Sequence, residues 1–316
     1  MRKALIVGID DYPNAPLNSC VKDAISMENI LEKNGDGSPN FHVKLLIDKP
    51  EAINKKILRS NIEKLFEGKS DIALLYFSGH GLVKSTGGYI VTSDFEKYDE
   101  GISMNDILTL ANKSEAIYKI IILDCCYSGK FGNIEIGDSS AAYLGDGLTV
   151  LTACSDKETA ISINGSSVFT SLLLDGLQGG AADLRGNVTP GHLYAYVDEA
   201  LGAWDQRPIF KTNVSQFTSL RQITPRVSKE TLRMITTYFI QAEDEFNLDP
   251  SFEFTEESAV TENVHIFKDL QKFQSVGLVV PVDEEYMYYA AINSKSCRLT
   301  ALGYQYWRLV KENKLS

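Results

Sequence analysis

The chain has 316 residues, of which 44% are apolar, so it is long enough to bury a sizeable core in one large domain with a smaller one, or in two domains. Its formal net charge of -11 argues against a general nucleic-acid binder, which usually carries a basic face. The first apolar run reaches Asp10 too early for a secretory signal, and no stretch approaches the roughly 18 apolar residues of a membrane span, so we expect a soluble cytoplasmic protein.

Strand-like and helix-like patterns alternate along the first two thirds of the chain. Short apolar runs bounded by turn residues predict strands at 3–9, 42–48, 71–81, 119–129 and 148–155. Apolar residues at helical spacing predict helices at 19–35, 54–68, 104–114, 169–179 and 189–202. This order favours an α/β fold with a mostly parallel sheet and helices on both faces.

Two segments depart from that alternation. Residues 129–147 are rich in Gly, Ser and Asp and predict a long loop. Beyond residues 206–210 the alternation stops, and the remainder predicts helices at 229–246 and 261–277, followed by strand, turn, strand and helix to residue 313. Helices followed by a β-hairpin predict a winged-helix-like module, so we expect domains at 1–224 and 225–316.

The ends of two predicted strands carry the residues with most chemistry. The third strand ends in Ser78 and His80, and the fourth ends in Asp124, Cys125 and Cys126. Ligands bind at the carboxyl ends of parallel strands, and side chains alternate along a strand. Asp124 and Cys126 therefore share a face, and Cys125 points to the other.

If these two strands are neighbours, His80 and Cys126 can meet above the edge of the sheet. A nearby imidazole activates a thiol that is mostly protonated at neutral pH, and the backbone N–H groups of Gly81 and Cys126 are candidates for an oxyanion hole. The five cysteines form no CxxC pair, which excludes a structural zinc site or a disulfide framework. Taken alone, either residue would more often be structural.

Around these residues the sequence resembles the caspase-like cysteine peptidases, and within them the metacaspase and prokaryotic caspase branch. YFSGHG at 76–81 resembles the histidine motif and DCCYSG at 124–129 the cysteine motif. His80 precedes Cys126 by 46 residues, and the caspase histidine lies about 50 residues upstream of the cysteine. The resemblance extends over residues 1 to about 222, and it implies a caspase-like fold and a cysteine endopeptidase with a Cys–His dyad.

The metacaspase resemblance also implies cleavage after arginine or lysine. The family's pocket for the residue before the cleaved bond maps onto Cys20, Asp23, Ser78 and Asp124. Two carboxylates beside the nucleophile would attract a guanidinium or ammonium group and repel an acidic side chain. Asp23 has the alternative of a solvated helix position, whereas Asp124, inside an apolar strand, needs a partner.

Control of such an enzyme leaves two questions open. Many metacaspases need calcium, and Asp94, Asp99 and Glu100 are candidate ligands in an incomplete set, since calcium takes roughly 6–8 oxygens. A basic-specific peptidase, made as a zymogen, could be processed at sites in exposed segments, with ordinary solvated charges as the alternative reading of each basic residue. The candidate processing sites are Lys130, Lys157 and Arg185.

The leading hypothesis is therefore a cysteine endopeptidase acting on protein substrates in proteolytic signalling, cell death or anti-phage defence, the pathway resting on analogy alone. A pseudo-protease scaffold that acts by binding is one alternative, and a DNA-binding regulator using residues 226–316 is another. Ten Lys/Arg against fourteen Asp/Glu give that segment a net charge of -4, which disfavours phosphate contacts. We expect it to recruit an effector protein or an activating protease, with no nucleic-acid or membrane partner.

Overall fold

The computed structural model describes residues 1–85, 87–96, 99–125, 134–136, 139–141, 144–153, 162–163, 165–201 and 208–315. The chain divides into two compact units: residues 1–183 with 187–223, and residues 184–186 with 224–316. In the portion that the structure describes, none of the helices has the length and apolar character needed to cross a membrane.

The first unit alternates strands and helices through most of its length. A turn of π-helix, Gly176–Gly180, extends the fourth helix. In chain order its elements are β1 (Arg2–Gly8), α1 (Cys20–Leu31), β2 (His42–Ile47), α2 (Lys55–Phe66), β3 (Ile72–Ser78), β4 (Gly81–Lys84), β5 (Gly87–Ile90), β6 (Ile102–Ser103), α3 (Met104–Lys113), β7 (Tyr118–Asp124), β8 (Ile134–Ile136), β9 (Ser139–Ala141), β10 (Leu148–Thr152), β11 (Ser162–Ile163), β12 (Ser166–Ser167), α4 (Val168–Asp175), β13 (Asn187–Val188), α5 (Pro190–Leu201), β14 (Ile209–Asn213) and β15 (Arg221–Gln222).

A six-stranded sheet in the order β14-β10-β7-β3-β1-β2 forms the centre of this unit. Adjacent strands of this sheet pair in parallel, except that β14 is antiparallel to β10. Strand β3 is buried along its whole length, as expected for a parallel strand covered on both faces. Leu75 and Phe77 pack in the core that contains α2 and α3 residues, and Leu74 and Tyr76 pack in the core that contains α1, α4 and α5 residues. The predicted mostly parallel sheet with helices on both faces is confirmed.

Several element boundaries differ from the prediction. Strand β3 ends at Ser78, and the chain continues into a small antiparallel sheet of β4, β5 and β6 that the sequence analysis missed. Helix α1 ends at Leu31, because the Leu31 carbonyl accepts a hydrogen bond from the N–H of Phe41 at 3.1 Å. Strand β14 was also missed, since its sequence IFKTN lacks a continuous apolar run.

The second unit has its own core, centred on Leu232, Phe239, Leu270 and Phe273. Its three strands form an antiparallel sheet in the order β16-β18-β17, and a turn of 3₁₀-helix occupies Pro250–Phe252. The elements are α6 (Lys229–Arg233), α7 (Ile235–Tyr238), β16 (Glu245–Asn247), α8 (Thr261–Ser275), β17 (Val279–Val282), α9 (Met287–Ile292), β18 (Ser296–Leu299) and α10 (Ala301–Lys311).

Two predicted elements of this unit are wrong. The predicted helix 229–246 is two short helices and a strand, because Phe239 is extended and its carbonyl accepts a hydrogen bond from Trp307 Nε1 at 2.7 Å. The predicted hairpin turn contains helix α9, whose Met287, Ala290 and Ala291 are buried at helical spacing. The winged-helix-like character of the unit stays a prediction.

Candidate active site

The C-terminal ends of β1, β3 and β7 bring the candidate residues to one edge of the sheet. Gly8 lies opposite Ser78 in the register of β1 with β3, and Ser78 lies opposite Asp124 in the register of β3 with β7. His80 follows β3 by two residues, and Cys125 follows β7 directly. Cys126 lies outside the described residues. The prediction that the strands carrying the two motifs are neighbours is therefore confirmed, since β3 pairs with β7.

His80 is held by the loop that follows β1. Its Nε2 lies 2.7 Å from the carbonyl oxygen of Ala15, and its backbone N–H donates to the Tyr12 hydroxyl at 3.0 Å. The Tyr12 and His80 rings lie 4.5 Å apart between centroids. Because a carbonyl only accepts hydrogen bonds, Nε2 must carry the proton, which leaves Nδ1 of the neutral imidazole as the basic nitrogen.

That loop is itself fixed by two carboxylates. The Asp48 Oδ2 atom accepts the backbone N–H groups of Asp10 and Asp11, and the Asp10 carboxylate accepts the N–H of Cys20 at 2.9 Å and of Val21 at 3.3 Å. Asp10 thereby satisfies orphan donors at the start of α1. These contacts tie the His80-binding loop to both β2 and α1.

Two glycines permit the close approaches in this region. A Cβ atom on Gly8 would lie 2.3 Å from the carbonyl oxygen of Cys20, so only glycine lets α1 pack this closely on β1. A Cβ atom on Gly79 would lie 2.5 Å from the Tyr12 hydroxyl oxygen, so a side chain there would displace the group that holds the His80 backbone.

Gly81 offers a main-chain donor beside His80. Val91 N–H donates to the His80 carbonyl at 2.9 Å, and Gly81 lies opposite Ile90 in the register of β4 with β5. This pattern makes Gly81 and Ile90 a non-hydrogen-bonded pair, so the ladder does not use the Gly81 N–H. The group is therefore available to a ligand.

The four predicted pocket residues lie together on the face of the sheet covered by α1 and α4, and all four are buried. The side chain of Ser78 hydrogen-bonds the Cys20 thiol, and burial raises the pKa of that thiol to about 12. Cys20 is therefore a neutral thiol, which excludes it as the nucleophile at neutral pH. The alternative of a solvated Asp23 is wrong, since its exposed fraction is 0%.

The two carboxylates receive donors from the start of α4. Asp23 Oδ2 accepts the Ser167 N–H at 3.0 Å, and Asp124 Oδ2 accepts the Thr170 hydroxyl at 2.6 Å. Because the Thr170 hydrogen is used in this way, the Tyr76 hydroxyl, 2.6 Å from Thr170 Oγ1, donates to Thr170. Among the residues that the structure describes, none hydrogen-bonds the buried Asp23 Oδ1 atom.

Burial is the main reason that the pKa values of Asp23 and Asp124 are raised. It raises the pKa of Asp23 to about 6, with the neighbouring Asp124 charge adding to the effect. Burial also raises the pKa of Asp124, against the lowering effect of the Thr170 hydroxyl. Neither carboxylate has a salt bridge within the described residues, so the pair favours a cationic ligand.

Other sequence-predicted residues have different positions. Cys125 is buried in the core on the α2 and α3 face, opposite to Asp124. Lys130 and Lys157 lie outside the described residues. Arg185 is exposed in the turn before β13.

The candidate calcium ligands have another role. The Asp94 carboxylate accepts the Lys55 N–H and the Thr92 hydroxyl, and Asp99 forms a salt bridge with the Lys55 ammonium group. Glu100 is half-buried. Within the described ranges, no three His, Cys, Asp or Glu side chains are grouped so as to hold a metal ion.

Sequence reasoning missed the groups that orient these side chains. The Ala15 carbonyl is a backbone group and leaves no signal in the sequence. Thr170 carries a buried hydroxyl in a largely apolar helix. A polar residue on the buried face of such a helix could have indicated a hydrogen-bonding role, because a buried hydroxyl needs a partner.

A mostly parallel sheet flanked by helices on both faces is the architecture of the caspase-like α/β proteins. The family model of the caspase domain, peptidase C14, matches residues 1–225. The chain belongs to this family, which confirms the resemblance to the caspase-like peptidases and implies a cysteine peptidase.

Solved structures agree on the fold. A Geobacter sulfurreducens protein solved as a structural genomics target aligns with a TM-score of 0.51 at 16% identity, covering 71% of this chain and 100% of its own. Caspase-1 from Spodoptera frugiperda aligns with a TM-score of 0.50 at 14% identity, covering 71% of this chain and 91% of its own. The comparison with curated proteins found no match.

Proposed function

We propose that this protein is a cysteine endopeptidase that cleaves proteins after arginine or lysine, with Cys126 as nucleophile and His80 as general base. The observation that carries the proposal is the buried pair of Asp23 on α1 and Asp124 at the end of β7, the strand that pairs with β3, after which His80 follows. Among the described residues, Asp23 Oδ1 has no hydrogen-bond partner. A buried pair of acids without a salt bridge is costly to the fold, which a binding role for a cation explains.

In the acylation step, His80 Nδ1 takes the proton of the Cys126 thiol, and the sulfur attacks the carbonyl carbon of the scissile peptide bond. The N–H groups of Gly81 and Cys126 stabilise the oxyanion of the tetrahedral intermediate. His80 then returns the proton to the leaving amine, the C–N bond breaks, and a thioester remains on Cys126.

In the deacylation step, a water molecule gives its proton to His80 Nδ1 and attacks the thioester carbonyl. The C–S bond breaks, the new carboxyl group leaves with the N-terminal product, and the proton on His80 restores the Cys126 thiol. The Ala15 carbonyl holds Nε2–H throughout, so Nδ1 faces the reaction in both steps.

The specificity follows from charge. A guanidinium presents several donors to Asp23 Oδ1 and to the Asp124 carboxylate, and a lysine ammonium fits as a point charge. An acidic side chain would add a third negative charge to a buried site.

The decisive experiment measures cleavage of fluorogenic peptides that differ in the residue before the cleaved bond, with and without calcium. We expect cleavage after Arg and Lys, and its loss in Cys126→Ala and His80→Ala. Cys125→Ala is the matched control, because Cys125 packs on the opposite face and should retain activity. Activity that survives in Cys126→Ala and vanishes in Cys125→Ala would contradict the assignment.

Replacing both pocket acids with Asn tests the specificity separately. The double variant Asp23→Asn, Asp124→Asn should lose the preference for basic residues, by roughly 100-fold or more in kcat/KM if two charge-assisted contacts are lost. An unchanged preference would rule out this pocket. Complete inactivity of the wild type after treatment with an Arg/Lys-specific protease, with specific binding of proteins retained, would favour the scaffold alternative.

Activation forms part of the proposal. We place cleavage at Lys130, Lys157 or Arg185 as the processing step of a cytoplasmic zymogen, and Arg185 supports it by lying in an exposed turn. N-terminal sequencing of fragments from wild type and Cys126→Ala tests self-processing. A role in cell death or anti-phage defence rests on analogy with the family.

A further inference from the structure

An apolar cavity of about 230 Å³ lies directly beside His80. Its lining is mostly apolar, with Asn14, His80 and the Tyr12 hydroxyl as its polar groups, and consists of Tyr12, Pro13, Asn14, Ala15, His80, Gly81, Leu82, Val91 and Phe95. The cavity is therefore bordered by the imidazole and by the proposed oxyanion donor, yet the cysteine, histidine and acid-pair chemistry does not use it.

The cavity and the acid pair lie on opposite faces of the sheet. Tyr12 and Val91 belong to the core covered by α2 and α3. Asp124 instead contacts Thr170 of α4, on the face covered by α1 and α4. An extended chain that places one side chain at the acids and crosses the edge of the sheet past His80 reaches the cavity next.

The chemistry of His80 fixes which part of a substrate lies there. In the proposed mechanism, the imidazole gives its proton to the leaving amine, so that nitrogen must come within hydrogen-bond distance of Nδ1. The amine belongs to the residue after the cleaved bond, called P1′, whereas P1 is the residue before it. The P1′ side chain is thus carried on the His80 side of the bond.

We propose that this cavity is the binding subsite for the P1′ residue and selects apolar side chains there; the proposal rests on the peptidase function above. The volume is below the roughly 300–1,000 Å³ of small-molecule sites, and it suits one side chain of the size of leucine or phenylalanine. A charged P1′ side chain would lose hydration against this mostly apolar lining, and no Asp, Glu, Lys or Arg among the described lining residues offers it a salt bridge.

Phe95 is the lining residue whose replacement best tests the role of the cavity. Its exposed fraction is 41%, which is high for a large aromatic side chain, so it can cover an incoming apolar group. It contributes nothing to the acid pair or to the His80 hydrogen bonds, and its removal changes the cavity and leaves the chemistry in place.

The test uses internally quenched peptides with Arg at P1 and Gly, Ala, Leu, Phe or Asp at P1′, cleaved by the full chain. We expect kcat/KM for Leu or Phe to exceed that for Gly by roughly 10-fold or more, as apolar pockets discriminate side chains by such factors. Phe95→Ser should lower the Leu-to-Gly ratio by roughly 10-fold. The matched control is Ile117→Ser, since Ile117 is 61% exposed and precedes β7 at the other end of the strand, and it should leave the ratio unchanged.

The outcomes separate the two proposals. Cleavage of all the Arg peptides at equal rates would overturn the P1′ subsite and leave the peptidase function standing. Absence of cleavage after Arg, both by the full chain and by chain treated with an Arg/Lys-specific protease that is then removed, would overturn the peptidase function. In that case fluorescence anisotropy of the same labelled peptides on Cys126→Ala decides the subsite, because tighter binding of Leu than of Gly peptides supports it and equal binding overturns it.

Discussion

At the scale of single residues, the orientation of His80 depends on one tyrosine and one carbonyl. The Tyr12 hydroxyl accepts the His80 N–H and donates to the Val91 carbonyl at 3.2 Å. Burial raises the pKa of this hydroxyl well above its ordinary value, so it stays protonated at every pH where a peptidase works. Tyr12 is therefore a positioning residue that acts through His80.

The variant Tyr12→Phe keeps the ring against His80 and removes both hydrogen bonds of the hydroxyl. We expect the free energy of unfolding to fall by about 1 kcal/mol, and kcat on an Arg peptide to fall roughly 10-fold with little change in KM, since the acid pair is untouched. Steady-state kinetics and urea unfolding measure both. Tyr288→Phe, an exposed tyrosine of the second unit, is the control, and equal kcat in the two variants would contradict the positioning role.

The raised pKa of Asp23 predicts how specificity depends on pH. In the free protein Asp23 takes up a proton as the pH falls through about 6, and a neutral carboxyl binds a guanidinium less well. The ratio of kcat/KM for an Arg peptide to that for its uncharged citrulline analogue should therefore decline below pH 6. Use of the ratio cancels any pH dependence that the two peptides share, and a ratio that stays constant from pH 8 to pH 5 would count against Asp23.

The same pKa predicts a cost to the stability of the fold. Since the pKa of Asp23 is higher in the folded protein, at about 6, than the ordinary aspartate value of 3.8, its ionisation favours unfolding. The free energy of unfolding falls as the pH rises from 4 to above 6. The total loss is about 3 kcal/mol, since each pKa unit corresponds to about 1.36 kcal/mol. Asp23→Asn, which cannot ionise, should become more stable than wild type as the pH rises.

Urea unfolding at several pH values measures this difference. Asp36→Asn is the matched control, because Asp36 is exposed on the surface and its pKa is lowered. A wild type that is more stable than Asp23→Asn at pH 8 would refute the burial cost and the argument that function maintains it.

At the scale of elements, the N-terminus of α4 does the most to shape the acid pair. The N–H of Ser167, before the first residue of α4, binds Asp23, and Thr170 in its first turn binds Asp124. The positive end of the helix dipole also favours carboxylates at this position. The helix therefore keeps both acids in place before any ligand binds.

Thr170→Val tests this role at constant shape. It removes the donor to Asp124 and leaves the buried Tyr76 hydroxyl without its acceptor, so we expect a loss of about 1–3 kcal/mol in the free energy of unfolding. The pKa of Asp124 should rise further, and the Arg-to-citrulline ratio should fall at neutral pH. Thr149→Val breaks a comparable pair with Thr212, 2.8 Å between hydroxyl oxygens, and should lower stability without changing that ratio.

The elements themselves were predictable where burial on both faces dictates a continuous apolar run. β1, β3, β7 and β10 are of this kind, and their order along the chain was enough to predict the sheet. The edge strand β14 and the short strands after Ser78 were not, because edge and hairpin strands are half-exposed and their pattern is weak. Helix 229–246 failed because a tertiary contact, from Trp307, takes the Phe239 carbonyl.

At the scale of the whole molecule, the two units have separate hydrophobic cores. The first unit buries the carboxylates of Asp23 and Asp124. The second, with ten Lys/Arg against fourteen Asp/Glu in residues 226–316, offers no excess of positive charge to a nucleic acid.

We expect the full chain not to retard labelled duplex DNA in a gel at 50 mM salt. The reason is that each phosphate contact needs a cation, and affinity from such contacts is greatest at low salt. Retardation that disappears as the salt concentration rises would instead favour the DNA-binding alternative. A known basic DNA-binding protein in the same gel is the positive control.

The candidate site was predictable to the extent that it consists of side chains in motifs. His80, Asp23 and Asp124 could be assigned because the resemblance to the caspase family gave them roles and strand alternation gave Asp124 a face. The Ala15 carbonyl, the Gly81 N–H and the Ser167 N–H could not, since every residue other than proline carries both groups. Only tertiary structure decides which of them is aimed at a ligand.

The hydrogen bond between Ala15 and His80 has a consequence for how such an enzyme can change. The carbonyl of residue 15 contacts His80 Nε2, and the same residue lines the cavity beside His80. A substitution there alters the side chain and keeps the carbonyl, so the orientation of His80 is insulated from mutation at this position. If the proposed function and P1′ subsite hold, substrate preference at the cavity is then free to diverge while His80 stays in place.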